Sequence, residues 1–436
     1  MKYVHLRYIT AFLFVLLFTA SCKKEQMATI VLNHERVGDG ALSVKIKQDL
    51  ILNPKMTGQV DTYQWLEDGK EIANTASYKF NRATPGVYTL IFQATNAAGT
   101  TTLTYRIKAL GAYGDGVLLL SYTDKTGSGA AEISHIDEQG LLNLDVFSKV
   151  NPGLSLSSSA NNLYHFNNQY YVSSATGPNH LSVLDDQTLK LKDVVSQSGI
   201  TGITYFATTD GKTGYANVTN RRKPGLYPVD LSNKSIAADP IEGSKDISLV
   251  PINTINQSIV AGAGKQLVQL DNGKVKVLYT YKENVAGVVN TAGKTTWVVV
   301  QGFTNKAKFV KLDQNLKAVD SVELATTYKL PANGILTASG NDDYIYWQET
   351  SRGVICRFNT ATKTASEFVD PGNVGISFAT AWKVNPKNGE LYIADSPGLF
   401  TGEENWSDVY IFDQTGKVKK QYKKAGRWIT DIVFPK

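Results

Sequence analysis

The stretch Val409-Tyr410-Ile411-Phe412-Asp413-Gln414-Thr415-Gly416-Lys417-Val418 decides the fold, because its form occurs seven times along the chain. Each copy is an apolar strand that ends in Asp or Asn and runs into a polar turn. The seven turn residues are Asp137, Asp185, Asp230, Asp271, Asp313, Asn359 and Asp413. They are separated by steps of 48, 45, 41, 42, 46 and 54 residues. Their side chains are expected to bond nearby backbone N–H groups and so to form the turns.

A repeat of about 40–50 residues with several short strands in each unit indicates a β-propeller. One complete unit reads as strands at 287–291, 295–300, 308–312 and 317–324. The last apolar segment, Trp428–Phe434, follows a complete seventh unit, whereas the first unit begins at Gly116–Thr123 without an opening strand. We therefore expect the C-terminal strand to pair with the first unit and remove an exposed edge. The prediction is a seven-bladed β-propeller over residues 110–436, closed by the C-terminal strand.

The composition also favours an all-β chain. Charged residues make up 19% of the sequence, and there are 36 Gly and 22 Tyr, as expected for many short strands joined by turns. The formal net charge of +6 forms no basic block, so nucleic-acid binding is not indicated. Of the two cysteines, Cys356 lies in an alternating strand and is expected to be a buried structural thiol.

The first residues read as an export signal. Basic residues precede the apolar run Ile9–Phe18, which is too short to span a bilayer. Thr19-Ala20-Ser21-Cys22 resembles a bacterial lipobox, although Thr19 departs from the usual aliphatic residue. The resemblance implies a signal peptide over residues 1–21, an acylated Cys22 with a tether over residues 22–26, and an outer-membrane lipoprotein that faces the cell surface. The alternative is an ordinary secretory signal with an incidental Cys.

Residues 27–109 contain five strand-like segments separated by turn signals. Tyr63-Gln64-Trp65, followed by an acidic Gly turn and by Gly86-Val87-Tyr88-Thr89-Leu90, resembles the PKD-like family of immunoglobulin-fold sandwiches. This resemblance implies that Trp65 is the buried core aromatic and that Tyr88 lies in a late strand. It implies a spacer or adhesion module and no chemistry.

The second part of the chain resembles the YncE-like propeller family. The resemblance rests on the runs 385–395, from Asn385-Pro386-Lys387-Asn388-Gly389 to Asp395, and 408–418. It is nearest to a branch of surface lipoproteins encoded beside TonB-dependent transporters, some of which capture cobalamin. It therefore implies a lipoprotein that captures a small cofactor or a glycan for such a transporter. The expected state is a monomer or a hetero-complex.

The variable loops between the second and third strands of each unit are the expected working surface, because function is usually grafted on loops of a rigid scaffold. The candidate ligand contacts are Asn179, His180, Arg221, Arg222, Lys223, Phe303, Arg352, Phe400, Glu403, Glu404, Trp406 and Trp428. Three of these candidates have a simpler interpretation. Residues 221–223 could bind an anionic group, but a solvated basic turn is the simpler interpretation. Trp406 could stack on a ring-shaped ligand or cover the loop base, and His180 could ligate a metal but has no second His within ligand spacing. No metal or cofactor is predicted.

Enzyme motifs are absent from the sequence. There is no Gly-x-Ser-x-Gly elbow, phosphate loop, His-Glu-x-x-His or calcium loop. His180 is the last His, so later units lack the commonest general base. The prediction is a non-enzymatic binding protein. The alternatives are a docking or adhesion module without a small ligand and, third, a propeller hydrolase or lyase with carboxylates that meet in the channel.

Overall fold

The computed structural model describes residues 29–33, 42–123, 129–218, 223–247, 249, 253–255, 257–291, 295–301, 306–324, 328–330, 335–339, 342–400 and 405–435. The predicted signal peptide and Cys22 lie outside the described residues. The chain divides into two compact units, Met1–Gly111 and Ala112–Lys436. Strands dominate both units. Among the described residues, no helix is long and apolar enough to cross a membrane.

The first unit has a five-stranded sheet in the order β2-β9-β8-β5-β6 and two two-stranded sheets, β1-β4 and β3-β7. Its strands are β1 (Val31–Asn33), β2 (Leu42–Lys45), β3 (Leu50–Leu52), β4 (Lys55–Thr57), β5 (Thr62–Glu67), β6 (Lys70–Ala73), β7 (Tyr78–Phe80), β8 (Gly86–Asn96) and β9 (Gly99–Leu110). Trp65 is fully buried, and its Nε1–H donates to the Thr75 carbonyl at 2.8 Å. Burial of Trp65 and the position of Tyr88 in a late strand are thus confirmed.

The second unit begins with β10 (Val117–Thr123), β11 (Glu132–Ile136), β12 (Leu142–Asn143) and a short helix α1 (Val146–Val150). The next strands are β13 (Ala160–Phe166), β14 (Gln169–Ser174), β15 (Leu181–Asp185), β16 (Leu191–Val195), β17 (Ile203–Thr208), β18 (Thr213–Val218), β19 (Leu226–Asp230), β20 (Ser235–Ile236), β21 (Thr254–Ile255), β22 (Ser258–Ala263), β23 (Gln266–Asp271) and β24 (Lys274–Thr280). The last are β25 (Asn284–Asn290), β26 (Thr296–Gln301), β27 (Lys308–Leu312), β28 (Ala318–Glu323), β29 (Leu336–Ala338), β30 (Tyr344–Gln348), β31 (Ile355–Asn359), β32 (Thr364–Val369), β33 (Ala379–Val384), β34 (Leu391–Asp395), β35 (Trp406–Phe412) and β36 (Val418–Val433). Two 3-10 helices lie at Pro371–Val374 and Pro397–Phe400.

These strands form antiparallel sheets of consecutive strands. β13 to β32 make four-stranded sheets, each in sequence order, and a seven-stranded sheet has the order β12-β11-β10-β36-β35-β34-β33. Buried apolar residues of neighbouring sheets pack together, as where Tyr171 of β14 joins Phe206 of β17 at 5.0 Å between ring centroids. The arrangement is consistent with a β-propeller.

The long strand β36 joins the two ends of this unit, as predicted. Its first part pairs with β35, and its last part pairs with β10 in the register Leu118↔Val433. The side chain of Asp431 accepts the Leu163 N–H at 3.0 Å and the Asn162 amide at 3.2 Å, while Lys383 lies 3.6 Å away. The last strand is therefore bonded on both sides and leaves β10 no open edge.

Six of the seven turn residues of the repeat bond to backbone N–H groups of their turns, as expected. Asp413 Oδ1 accepts the N–H groups of Thr415 at 2.8 Å and Lys417 at 3.1 Å. Comparable bonds occur at Asp137, Asp185, Asp230, Asp313 and Asn359. In the described chain Asp271 is the exception, so the prediction is wrong at that position. Its hairpin closes through Asn272 (φ 47°) and Gly273 (φ 73°), a two-residue turn that needs no side-chain bond.

Cys356 is fully buried in β31. Burial raises the pKa of its thiol to about 12, so the reactive thiolate is disfavoured. The prediction of a structural thiol is confirmed.

Gly202 lies at a close approach between two sheets. A Cβ there would lie 2.3 Å from the carbonyl of Ala175 and 2.5 Å from that of Ser174, which are backbone atoms that cannot rotate away. We expect Gly202→Ala to lower the free energy of unfolding by about 2–3 kcal/mol in urea denaturation. The control is Gly372→Ala, whose Cβ would meet only the side-chain oxygen of Asp370 at 3.3 Å. Equal losses in the two variants would contradict the steric account.

Glu132 should make stability depend on pH. It is buried, and its Oε1 accepts the Ser148 N–H at 3.1 Å. Burial raises the pKa of Glu132 from 4.5 to about 7, with a smaller contribution from Asp145. The folded state therefore holds the proton more tightly than the unfolded state. Stability contributed by this group is present below about pH 4.5 and is lost as pH rises to about 7, at a cost on the order of 3 kcal/mol.

The measurement is urea denaturation between pH 4 and pH 8 for the wild type and for Glu132→Gln. We expect Glu132→Gln to be more stable than the wild type at pH 8. Its free energy of unfolding should also lose most of the fall with rising pH that the wild type shows between pH 4.5 and pH 7. Glu138→Gln, at an exposed position, is the control and should keep the wild-type slope. An unchanged slope in Glu132→Gln would exclude this residue as its source.

Candidate functional site

The candidate site lies where β36 changes its pairing partner from β35 to β10. Tyr122, near the end of β10, and Trp428, in β36, stack with ring centroids 4.3 Å apart and an angle of 19° between the rings. Both side chains are half-buried. Two parallel aromatic rings at a loop end offer a flat apolar surface with polar edges.

Trp428 is held in an unusual conformation. Its φ is 46°, in the left-handed region that bulky residues rarely adopt. Its N–H donates to the Asn405 carbonyl at 2.9 Å, and the next N–H, of Ile429, donates to Ser407 Oγ at 3.0 Å. Gly426 allows the close approach, because a Cβ there would lie 2.4 Å from Ser121 Oγ. Strain of this kind persists only where the surroundings enforce it and is frequent at binding sites.

A second pair, of an aromatic ring and a cation, lies next along β36 and is formed by Trp406 and Arg427. They pair directly across β35 and β36, and the Arg427 guanidinium carbon lies 5.0 Å from the centroid of the Trp406 ring. Lys424 Nζ lies 5.9 Å from the same ring. Arg427 Nε is buried without a hydrogen-bond partner within the part of the chain that the structure describes. We call Tyr122, Trp406, Arg427 and Trp428 the aromatic platform.

The platform combines apolar area with positive charge. A guanidinium over an indole contributes about 0.5–2 kcal/mol and keeps its outer N–H groups available. Such a surface suits a flat or ring-shaped ligand that carries acceptor groups at its edge.

Two other predicted contacts, Asn179 and His180, lie in the loop between β14 and β15. Asn179 is bonded through its N–H to Ser157 Oγ at 2.9 Å. His180 is buried, and its Nδ1 accepts the Gln197 N–H at 3.1 Å. Burial lowers the pKa of His180, so the neutral ring is favoured. This is the arrangement of a structural histidine.

The described basic candidates are engaged in ion pairs. Lys223 pairs with Asp239, whose hydrogen bond raises the pKa of the lysine. Arg352 pairs with Glu367 at 2.7 Å and lies 3.7 Å from Glu349. No described contact joins Lys223 or Arg352 to the platform. Such exposed pairs contribute little to stability.

The remaining candidates lie wholly or partly outside the described residues. Arg221, Arg222, Phe303, Glu403 and Glu404 lie outside the described residues. Phe400 ends the 3-10 helix Pro397–Phe400, and its side chain lies outside the description. Their roles stay predictions.

Two carboxylates meet near the platform. Asp395 and Asp408 are directly opposite each other in β34 and β35, and burial raises the pKa of Asp395. Asp395 Oδ1 accepts the Phe378 N–H at 2.8 Å, while Asp408 takes the Lys423 ammonium at 2.6 Å. Both carboxylates thus hold the ends of strands. Within the described ranges, no group of three or more His, Cys, Asp or Glu could hold a metal ion.

Trp406 and Trp428 were predicted from the sequence as ligand contacts, whereas Tyr122 and Arg427 were not. The available signal was the predicted pairing of the last strand with the first unit. Arg427 lies opposite both Thr123 and Trp406 in the observed register, which brings these residues to one place. Following that register residue by residue would have identified Tyr122, which precedes Thr123.

Among three solved structures that are similar to this chain at low sequence identity, the first supports the fold. A Quinonprotein alcohol dehydrogenase-like protein from Bacteroides thetaiotaomicron is 16% identical, with a TM-score of 0.57, and the match covers 94% of this chain and 100% of that one. A protein from Lactobacillus plantarum is 13% identical, with a TM-score of 0.49, over 73% of this chain and 99% of that one. An auxiliary nutrient binding protein from Bacteroides thetaiotaomicron is 11% identical, with a TM-score of 0.38, over 81% of this chain and 93% of that one.

No curated protein matches the sequence. The family model described as a domain of unknown function, DUF5074, matches residues 122–434. This range takes in most of the Ala112–Lys436 unit, including the platform. The chain therefore belongs to the DUF5074 family.

Proposed function

We propose that this chain is a non-enzymatic, surface-anchored lipoprotein whose propeller captures a ligand for a TonB-dependent uptake system. The ligand class is a small ring-shaped cofactor such as cobalamin, or a glycan. The observation that carries the proposal is the aromatic platform, in which Trp428 is held at φ 46° against Tyr122. A strained aromatic beside an arginine is poorly explained by packing alone and well explained by recognition.

The register of β36 supports the architecture that we propose. Residues 418–427 pair with β35 and residues 427–433 pair with β10. In this proposal the seven-stranded sheet is two blades that share one long strand, and the whole ring has seven blades. Residues 27–109, with Trp65 in their core, serve as a PKD-like spacer that follows acylated Cys22 and its tether.

The main alternative is a docking module that binds the transporter and no small ligand. The platform favours capture, because its rings are stacked and half-buried. A hydrolase or lyase is favoured less, because Asp395 and Asp408 are both occupied by bonds to the protein.

The test is calorimetric titration of the chain from Cys22 onward with cobalamin, haem and a small glycan panel. We expect one saturable site in the wild type and a loss of affinity of about 30-fold or more in Trp428→Ala, which corresponds to about 2 kcal/mol. The control is Tyr344→Ala, which removes a half-buried ring of β30 that lies 4.6 Å from the Arg357 guanidinium carbon. It should bind like the wild type.

The other outcomes would favour a different function or exclude the platform as the site. If no compound of the panel binds but the transporter binds saturably, the docking module is favoured. Release of product from a glycan would favour the enzyme. Equal loss of affinity in Trp428→Ala and Tyr344→Ala would exclude the platform as the site.

A further inference from the structure

A second concave feature lies away from the platform, within the Ala112–Lys436 unit. It is a cleft of about 540 Å³ between the turn after β11, the turn before β34 and the outer part of β36. The turn residues Gln139 and Asn388 lie at its edge, and Tyr392 and Tyr422 line it. None of the residues predicted as ligand contacts lines it. Its volume lies within the range of about 300–1,000 Å³ that is usual for small-molecule sites.

The charges of the cleft balance. Its charged lining residues are Asp137, Glu138, Glu390, Lys387, Lys419 and Lys420, which makes three carboxylates and three ammonium groups. Glu390 and Lys419 form an ion pair, and Lys420 donates to the Gly140 carbonyl at 3.1 Å. The lining therefore provides no net field to attract a strongly charged ligand.

The recognition groups are mostly hydrogen-bonding groups. Asn388 is held by bonds to Glu390, through its Nδ2 at 2.9 Å and its Oδ1 at 3.1 Å. The Gln139 side chain is exposed and has no hydrogen bond within the described residues. Side-chain amides of this kind both donate and accept, and those fixed by neighbours lose little entropy on binding.

Stacking contributes less here than at the platform. Lys420 Nζ lies 4.5 Å from the centroid of the Tyr422 ring and covers it. The Tyr422 hydroxyl donates to the Gly140 carbonyl at 3.1 Å. Burial raises the pKa of the Tyr392 hydroxyl, which stays protonated and remains both a donor and an acceptor.

From the balanced charges and the amide and hydroxyl groups of this lining we infer that the cleft binds an uncharged oligosaccharide. Sugar hydroxyls both donate and accept and carry no net charge, so they can bond to the carboxylates, ammonium groups, amides and phenols of the lining. The volume suits a di- or trisaccharide. The inference stands on the cleft alone and is independent of what the platform binds.

The test is calorimetric titration of the chain from Cys22 onward with maltotriose, cellobiose and N,N′-diacetylchitobiose, and with trigalacturonic acid as the charged counterpart. Gln139→Trp fills the cleft from an exposed turn, whereas Trp428→Ala reports on the platform. We expect at least one neutral sugar to bind to the wild type and to Trp428→Ala, with affinity falling tenfold or more in Gln139→Trp. Trigalacturonic acid should bind at least tenfold more weakly.

Three results would overturn the inference. They are no binding by any neutral sugar, equal binding of the charged trisaccharide, and loss of sugar binding in Trp428→Ala with retention in Gln139→Trp. The third result would place the sugar on the platform, so failure of the cleft and failure of the platform remain distinguishable. A thermal melt of each variant checks that both are folded.

Discussion

Removing residues 429–436 is expected to unfold the Ala112–Lys436 unit. The deletion takes away Ile429, Ile432, Val433 and Phe434, none more than 8% exposed. At about 1.5–3 kcal/mol for each buried side chain, the loss is about 6–12 kcal/mol. A typical domain has a total stability of about 5–15 kcal/mol, so little or none would remain. The deletion also opens the edge of β10 and removes Asp431 from its bond to Leu163.

The measurement is thermal unfolding followed by circular dichroism and by tryptophan fluorescence. We expect the cooperative transition of this unit to disappear, while that of the Met1–Gly111 unit persists. Truncation after Phe434 is the control, because it removes only Pro435 and Lys436 and should leave the transition in place. A deletion variant that melts at the wild-type temperature would show that the ring does not depend on its last strand.

Trp347→Ala should give the largest effect of a single substitution. Trp347 is fully buried in β30, with Tyr328 at 5.6 Å and Phe309 at 5.8 Å between ring centroids. Replacement of a buried Trp by Ala leaves a cavity and costs about 3–5 kcal/mol. The Nε1–H of Trp347 is buried without a partner among the described residues. An unpaired buried donor already costs the folded state free energy.

Trp347→Phe therefore separates the cost of the cavity from the cost of the unpaired N–H donor. It keeps most of the ring volume and removes the unpaired donor, so we expect a loss of less than about 1.5 kcal/mol. Urea denaturation of the two variants measures the difference in the free energy of unfolding. If Trp347→Phe lowers the free energy of unfolding as much as Trp347→Ala does, then either the indole N–H has a partner or the cavity is not the cause of the destabilisation.

The repeat was predictable because it depends on local patterns. Strand alternation and the turn residue at each unit locate β25 to β28 within a few residues, and Asp413 bonds its turn as expected. Asp271 was not predicted correctly, because its two-residue hairpin closes through backbone conformation at Asn272 and Gly273. Side-chain identity alone does not reveal the choice between these two turn types.

The site was less predictable, because it depends on register between distant segments. Trp406 and Trp428 stand out in the sequence as large aromatics near loops. Tyr122 and Arg427 join them only through the pairing of β36 with β10 and β35. The 540 Å³ cleft likewise combines turns that are about 250 residues apart in the chain. Packing across such separations follows from the closed fold and has no local signature.

The claim that the platform is the binding site is tested most directly by a crystal structure of the chain with the tightest-binding compound of the cofactor and glycan panel. We predict ligand density stacked on Tyr122 and Trp428, with an acceptor group within hydrogen-bond distance of Arg427. Density located elsewhere, with the platform empty, would contradict the account, as would a panel in which no compound binds.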